Sequence, residues 1–173
     1  MENRTDIYVD TGSVGILTDS GSLQAVALGS CVAVTAFDPA LSAAGMAHVM
    51  LPGTCPDPDA PHRTRYAADA LEALLNRLRE LGTDPADLDI CLVGGANVLE
   101  PDHPGPGPAI LDSIQSLLKA RNLSPAVVEG GGTQRRSCTL RLPGGVVSCT
   151  AGDASPRILR AGHDVRQSDR RVP

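Results

Sequence analysis

Residues 27–53 have the sequence ALGSCVAVTAFDPALSAAGMAHVMLPG, in which Asp38-Pro39 separates two apolar runs. The runs, 32–37 and 43–51, are rich in residues that favour β-strands. An Asp-Pro pair between two such runs is a turn signal. The stretch therefore predicts an antiparallel pair of strands.

One cysteine and one histidine lie on this strand pair. Cys31 follows the Gly29-Ser30 corner at the start of the first strand, and His48 lies on the second. A register that places Ala33 opposite His48 makes Cys31 and His48 diagonal neighbours on one face, with Cα atoms about 7–8 Å apart. A shift by one residue would place them on opposite faces. The pattern permits a Cys–His pair without requiring it.

Two interpretations of this pair remain open from the spacing alone. A tight turn before a strand leaves backbone N–H groups unpaired, so the Gly29-Ser30 corner could hold an oxyanion. A thiol is only a few per cent thiolate at pH 7, and a neighbouring imidazole that takes its proton makes it a nucleophile. The alternative is that Cys31 is a small core residue and that His48 is a buried histidine with a satisfied hydrogen bond.

The rest of the chain alternates between predicted helices and strands. An apolar stripe in residues 63–82 predicts an amphipathic helix that ends at Gly82, and residues 104–122 predict a second helix. Further strands are predicted at 7–10, 14–19, 88–96 and 125–132, and a hairpin at 137–150. In that hairpin Cys138 is predicted to face Cys149. This order predicts an α/β fold, a single-domain layered α/β sandwich with mixed β-sheets packed against two main helices.

Length and charge limit the domain organisation and the partners. A chain of 173 residues and 17.9 kDa is the size of one domain, which we assign to residues 1–153. Residues 154–173 carry five arginines against two aspartates and few apolar residues, which predicts a disordered, Arg-rich tail. The formal net charge of −5 argues against a nucleic-acid partner, because such binding needs a dense basic face.

The expected location is the cytoplasm. The sequence has no apolar stretch of the roughly 20 residues that cross a bilayer, and its N-terminus lacks the apolar segment of a signal peptide. We therefore expect no direct membrane insertion. The five cysteines are irregularly spaced and include no C-x-x-C pair, so free thiols are expected rather than a disulfide framework or a metal site.

Five segments carry recognisable motifs: LGSCVAVTAFDP at 28–39, GMAHVMLP at 45–52, Tyr66-Ala67, CLVGGANVL at 91–99, and Gly131-Gly132 with Arg136. Together they resemble the motifs of the chemoreceptor glutamine deamidase family (CheD) of bacterial and archaeal chemotaxis. The resemblance extends over most of the chain, from about residue 22 to residue 149. It implies that Cys31 is the catalytic nucleophile and His48 its general base.

The resemblance also implies a substrate and partners. The substrate is a glutamine side chain on the cytoplasmic domain of a chemoreceptor, converted to glutamate through a thioester without metal or organic cofactor. The family also hydrolyses glutamyl methyl esters and binds a CheC-type phosphatase. One alternative is a catalytically weakened relative that acts as a binding module for a CheC-like phosphatase or a receptor. Another is an unrelated cysteine hydrolase that acts on small amides.

Three departures from the family pattern predict weaker turnover or altered docking. The family has a threonine six positions before the nucleophile, where this chain has Ala25. Gln24, Ser22, Thr18 or a backbone carbonyl could orient His48 instead, and a threonine restored at position 25 is expected to raise the deamidation rate. Residues 107–110 lack the polar residues that the family has at the start of its second helix. Arg135 stands where the family often has glycine.

Overall fold

The strand pair predicted from residues 27–53 lies at the centre of the structure, a computed structural model that describes residues 4–99, 102 and 105–163. The two strands are β4 (Val32–Asp38) and β5 (Ala43–Val49), and every residue in them is buried. Continuous apolar runs are typical of strands that are covered on both faces. Ala33 pairs with His48, which is the one of the two registers considered that places Cys31 and His48 on the same face.

The strands form two mixed sheets of five strands each. The first, which we call the helix-covered sheet, has the order β2 (Val14–Thr18), β5, β4, β6 (Asp89–Gly94) and β7 (Val127–Gly130). The second, the outer sheet, has the order β1 (Thr5–Tyr8), β3 (Gly21–Leu28), β8 (Arg136–Leu142), β9 (Val146–Ala151) and β10 (Arg157–Arg160). Two neighbouring pairs are parallel, β1 with β3 and β6 with β7, and the others are antiparallel.

Two hydrophobic cores hold three layers together. Helices α1 (Ala67–Glu80) and α2 (Pro106–Lys119) bury their leucine and isoleucine faces against one side of the helix-covered sheet. The other side of that sheet packs on the outer sheet through Leu23, Ala33, Met46 and Leu140, among others. This arrangement confirms the predicted single-domain α/β sandwich with mixed sheets and two main helices. Among the described residues, no helix is long and apolar enough to span a membrane.

Strand β3 was not predicted from the sequence. Its residues Leu23 and Ala25 point into the core between the sheets, but the following Val26 and Ala27 are exposed. The pairing register with β8 shifts between Ala25 and Leu28, which marks a β-bulge, and Ala27 has φ 54°. A bulge inserts one residue and breaks the two-residue alternation by which a strand is recognised.

The C-terminal region of the described chain continues the outer sheet. In the hairpin of β8 and β9, Cys138 pairs with Cys149 as predicted. Residues 157–160, which the sequence analysis places in the Arg-rich tail, form β10 and pair with β9. Residues 164–173 of that tail lie outside the described residues. The assignment of a domain at 1–153 and a disordered tail after it stays a prediction.

Candidate active site

Cys31 lies at a fixed corner between the two sheets. The chain leaves β3, turns at Gly29 and Ser30, and enters β4 directly after Cys31. The carbonyl of Cys31 accepts a hydrogen bond of 2.9 Å from the N–H of Gly95, and the carbonyl of Gly29 accepts one of 2.9 Å from the N–H of Ala96. The corner is therefore tied to the segment that follows β6.

Close approach of the two segments requires glycine at position 94. Gly94 has φ +123°, a conformation that residues with a side chain rarely adopt. A Cβ atom added there would lie 2.2 Å from the carbonyl oxygen of Cys31. Glycine thus allows the end of β6 to pass beside the cysteine and to fix its backbone.

The described part of the chain leaves two backbone N–H groups beside the thiol without an acceptor in another residue. Within residues 4–99, 102 and 105–163, the N–H groups of Ser30 and Cys31 donate to no other residue. Both residues are half-buried. Unpaired N–H groups next to a nucleophile are the donors that a tetrahedral oxyanion needs.

A cavity of about 300 Å³ opens at the cysteine. This volume is at the lower end of the range of small-ligand sites and accommodates a side-chain amide. The corner forms one side of the cavity, and the segment after β6 and the start of α2 form another. The lining residues are Ala27, Gly29, Ser30, Cys31, Ala96, Asn97, Val98, Leu99, Pro106 and Arg135.

His48 is buried on the same face of the helix-covered sheet as Cys31. The residue is 5% exposed. Its Nδ1 lies 3.0 Å from the carbonyl oxygen of Val9. Because a carbonyl can only accept, Nδ1 carries the proton in the neutral ring, and the lone pair lies on Nε2. His48 therefore has the tautomer that a general base needs.

The residue that orients His48 is held by the outer sheet. The N–H of Val9 donates a hydrogen bond of 2.8 Å to the carbonyl of Gln24 on β3. The imidazole is thus positioned, through the backbone of Val9, against the strand that carries Ala25. Sequence reasoning could not identify Val9, because its contribution is a main-chain oxygen and its side chain gives no signal.

The three side chains considered as orienters form other contacts. Gln24 donates to Ser22 Oγ at 2.8 Å, and Ser22 donates to Asp6 at 2.6 Å. Thr18 donates to Asp19 at 3.2 Å. In the structure the backbone carbonyl, the fourth possibility, takes this role instead of a side chain.

The register brings Cys31 and His48 to one face without a direct bond between them. No hydrogen bond in the described part of the chain joins Cys31 Sγ to the His48 ring. Catalytic hydrogen bonds are often long before substrate binds, and tighten in the reacting complex. Elsewhere in the described residues, no group of three or more His, Cys, Asp or Glu side chains is placed to hold a metal ion.

Burial keeps both groups neutral at rest. It raises the pKa of the Cys31 thiol, and the N–H of Cys31 itself offsets part of this rise. It lowers the pKa of His48 below its ordinary 6.5, against the opposing effects of the Val9 carbonyl and the charge of Asp10. The thiol therefore keeps its proton and the imidazole stays uncharged in the resting protein.

The lowered pKa of His48 predicts how the activity depends on pH. A base must be neutral, so kcat/KM should decrease only below pH 6.5 and stay level through neutral pH. Asp10→Asn removes a charge that raises this pKa, so the acid limb should move to lower pH, and the move should be smaller at high salt. Stability should also decrease below pH 6.5, because the unfolded chain then binds a proton that the folded chain does not. An acid limb above pH 6.5 would contradict the assignment.

Ala25 is fully buried, so the structure revises what a threonine there would do. It lies on β3 opposite Cys138, in the core between the sheets. Since Val9 already accepts from Nδ1, we expect Ala25→Thr to leave the deamidation rate within about threefold. Its buried hydroxyl should reduce the free energy of unfolding by about 1–3 kcal/mol.

Ala25→Val is the matched control for this change, because valine has the shape of threonine without the hydroxyl. Thermal melts and initial rates of the two variants separate the effect of volume from that of the hydroxyl. A tenfold faster Ala25→Thr enzyme, with Ala25→Val unchanged, would mean that the Val9 carbonyl does not suffice to orient His48.

Comparisons with known proteins agree on one family. The family model described as CheD chemotactic sensory transduction matches residues 50–151, a span that begins after Cys31 and His48. The probable chemoreceptor glutamine deamidase CheD of Chlorobium luteolum is 39% identical over 153 residues, which cover 88% of this chain and 76% of that protein. The protein of the same name from Jannaschia sp. is 35% identical, over 94% of this chain and 83% of its own. The chemoreceptor glutamine deamidase CheD of Thermotoga maritima is 30% identical, over 75% of this chain and 81% of that protein.

Proposed function

Because the chain belongs to the CheD family, we propose that it is a chemoreceptor glutamine deamidase, an amide hydrolase that uses Cys31 as nucleophile and His48 as general base. One observation carries the assignment of the base. The Val9 carbonyl accepts from Nδ1 of His48, which leaves the Nε2 lone pair available on the face of the sheet that Cys31 shares. The free N–H groups of Ser30 and Cys31 support the assignment of the nucleophile.

The first half of the reaction forms a thioester. Nε2 of His48 takes the proton from Sγ of Cys31 as the sulfur attacks the carbon of the glutamine carboxamide. The carbonyl oxygen becomes an oxyanion, which accepts hydrogen bonds from the N–H groups of Ser30 and Cys31. The tetrahedral intermediate collapses when the imidazolium returns its proton to the amide nitrogen, and ammonia leaves.

The second half regenerates the thiol. His48 removes a proton from a water molecule that attacks the thioester carbon, and the same N–H groups hold the second oxyanion. Collapse expels the sulfur, which takes the proton back from the imidazolium and leaves glutamate on the substrate. The imidazolium exists only within each step, which suits a histidine whose pKa burial lowers.

The same steps apply to a glutamyl methyl ester, with methanol as the leaving group in place of ammonia. They require only that the ester oxygen take the proton from His48. We include this ester hydrolysis in the proposal, together with a CheC-like phosphatase as partner, on the resemblance of the sequence motifs. The chemoreceptor cytoplasmic domain is the proposed macromolecular substrate.

A second candidate function is a binding module for such a phosphatase or a receptor. It is favoured by the absence, among the described residues, of a bond between Cys31 and His48, and by the raised pKa of the thiol. In this alternative the cavity at Cys31 binds a side chain of the partner without chemistry.

Mass spectrometry of a purified chemoreceptor cytoplasmic fragment tests the function. Incubation with the native protein should convert specific glutamines to glutamates, and ammonia should be released in equal amount. The same fragment incubated with a Cys31→Ser variant is the control for spontaneous deamidation. A native protein that binds the fragment and converts no glutamine would favour the binding module.

A further inference from the structure

Arg135 gives the cavity at Cys31 a charge. It is the only charged side chain among the described residues that line this cavity. The other lining groups are the thiol, the amide of Asn97, the hydroxyl of Ser30 and apolar side chains. A single cation beside apolar walls attracts an anion more strongly than it would in open water, because the local dielectric is lower.

Among the described residues, the arginines next to Arg135 pair with carboxylates, and Arg135 does not. Arg136 and Arg157 both lie against the carboxylate of Glu129, at 3.6 and 2.6 Å. Arg160 lies 2.6 Å from Asp89. Arg135 makes no ion pair with any carboxylate in the described part of the chain. Its side chain is exposed, so its charge is available to a bound molecule.

The backbone that carries Arg135 is held on both sides. Its carbonyl accepts a hydrogen bond of 2.9 Å from the N–H of Gly152. The next residue, Arg136, is half-buried, and its guanidinium donates to the carbonyl of Gly131 at 2.7 Å. The Arg135 side chain is therefore attached at a fixed point of the cavity wall, which reduces the entropy lost when it pairs with a ligand.

We propose that Arg135 is a specificity-determining residue that selects glutamines with a carboxylate side chain nearby on the substrate. The inference rests on the proposed deamidase function and adds a rule for which glutamines are chosen. When the target amide enters the cavity, an aspartate or glutamate beside it meets the guanidinium. On a helical substrate, residues three or four positions from the target lie on the same face, about 5–6 Å away between Cβ atoms. An arginine binds such a carboxylate through two parallel hydrogen bonds.

Three helical peptides test the rule. Each contains one glutamine, and the residues four positions before and after it are both glutamate, both alanine or both lysine. For the native enzyme, kcat/KM from ammonia release should be about three- to tenfold higher for the glutamate peptide than for the alanine peptide, and lowest for the lysine peptide. The difference should lie mainly in KM, because the pairing does not change between bound substrate and transition state. It should shrink as salt is added.

Three variants assign the preference to one side chain. Arg135→Gln should act on the glutamate and alanine peptides at equal rates, and Arg135→Lys should keep part of the preference. Arg121→Gln is the matched control, because it removes the same charge from an exposed site at the end of α2. A second measurement does not depend on catalysis. Fluorescence anisotropy gives the affinity of each peptide for a Cys31→Ser protein, and for the same protein that also carries Arg135→Gln.

The outcomes separate the inference from the function on which it rests. A native enzyme that deamidates all three peptides equally overturns the role of Arg135 and leaves the deamidase function standing. A preference that survives Arg135→Gln also overturns it. A protein that deamidates none of the peptides, but binds the glutamate peptide preferentially through Arg135, supports the role of this residue and counts against the enzyme. Absence of preference in both readouts overturns the inference.

Discussion

Replacement of Cys31 by serine should abolish deamidation and leave the fold and receptor binding nearly unchanged. We expect a loss of at least about 10³-fold in kcat, because a serine hydroxyl is far less acidic than a thiol and His48 alone activates it poorly. Serine is nearly isosteric with cysteine, and Cys31 is only half-buried, so the cost in stability should be about 1 kcal/mol. Ammonia release, thermal melts and binding to a receptor fragment measure the three effects.

Cys55 supplies the matched control for this experiment. It is also a half-buried free thiol, but it lies in the loop before α1, where its N–H donates to Asp69. Cys55→Ser should therefore keep the native rate. If Cys31→Ser remains folded and loses binding together with activity, the cysteine contributes to receptor binding rather than to catalysis. If it keeps a rate near that of the native protein, Cys31 is not the nucleophile.

Replacement of His48 by asparagine should reduce kcat by about 10²–10⁴-fold, the usual contribution of general acid–base catalysis. Asparagine is chosen because its amide nitrogen lies near the position of Nδ1 and can still donate to the Val9 carbonyl. The substitution thus removes the Nε2 base and keeps the bond that fixes the side chain. Ammonia release at several pH values measures the loss, and the acid limb of the profile should disappear with it.

Alkylation gives an independent check of the pair. Iodoacetamide reacts with the thiolate, so His48→Asn should slow the labelling of Cys31 and leave that of Cys55 unchanged. His62→Asn, in an exposed loop, should alter neither activity nor labelling. A His48→Asn enzyme that retains more than a tenth of the native rate would show that another group accepts the proton.

The sequence predicted the central strand pair because two strong local signals agree there. The Asp38-Pro39 turn and the two apolar runs together predict the strand pair but leave its register open, and in the structure Ala33 lies opposite His48. The fold class followed from the order of the elements. Strand β3 was missed because its bulge interrupts the alternation on which strand prediction depends.

The parts of the site that were missed depend on the backbone and on long-range packing. The acceptor for Nδ1 of His48 is the main-chain oxygen of Val9. Every residue type has such an oxygen, so the identity of residue 9 gives no signal. The position of Arg135 beside Cys31 depends on how the outer sheet packs on the helix-covered sheet, and nothing in local spacing encodes it. In contrast, the placement of Cys31 and His48 on one face was one of two outcomes that the sequence allowed, because the register of a strand pair decides which residues share a face.

Anchoring of His48 by a peptide carbonyl has a consequence for how this site tolerates mutation. Every amino acid at position 9 brings the same oxygen, so no point substitution there deletes the acceptor, whereas a side-chain acceptor is lost in one step. Insertions or deletions between Val9 and β2 would instead move the carbonyl out of reach. Val9 is itself buried in the core between the sheets, so deep mutational scanning of this segment should find that other apolar residues are accepted at position 9 and that changes in length are not.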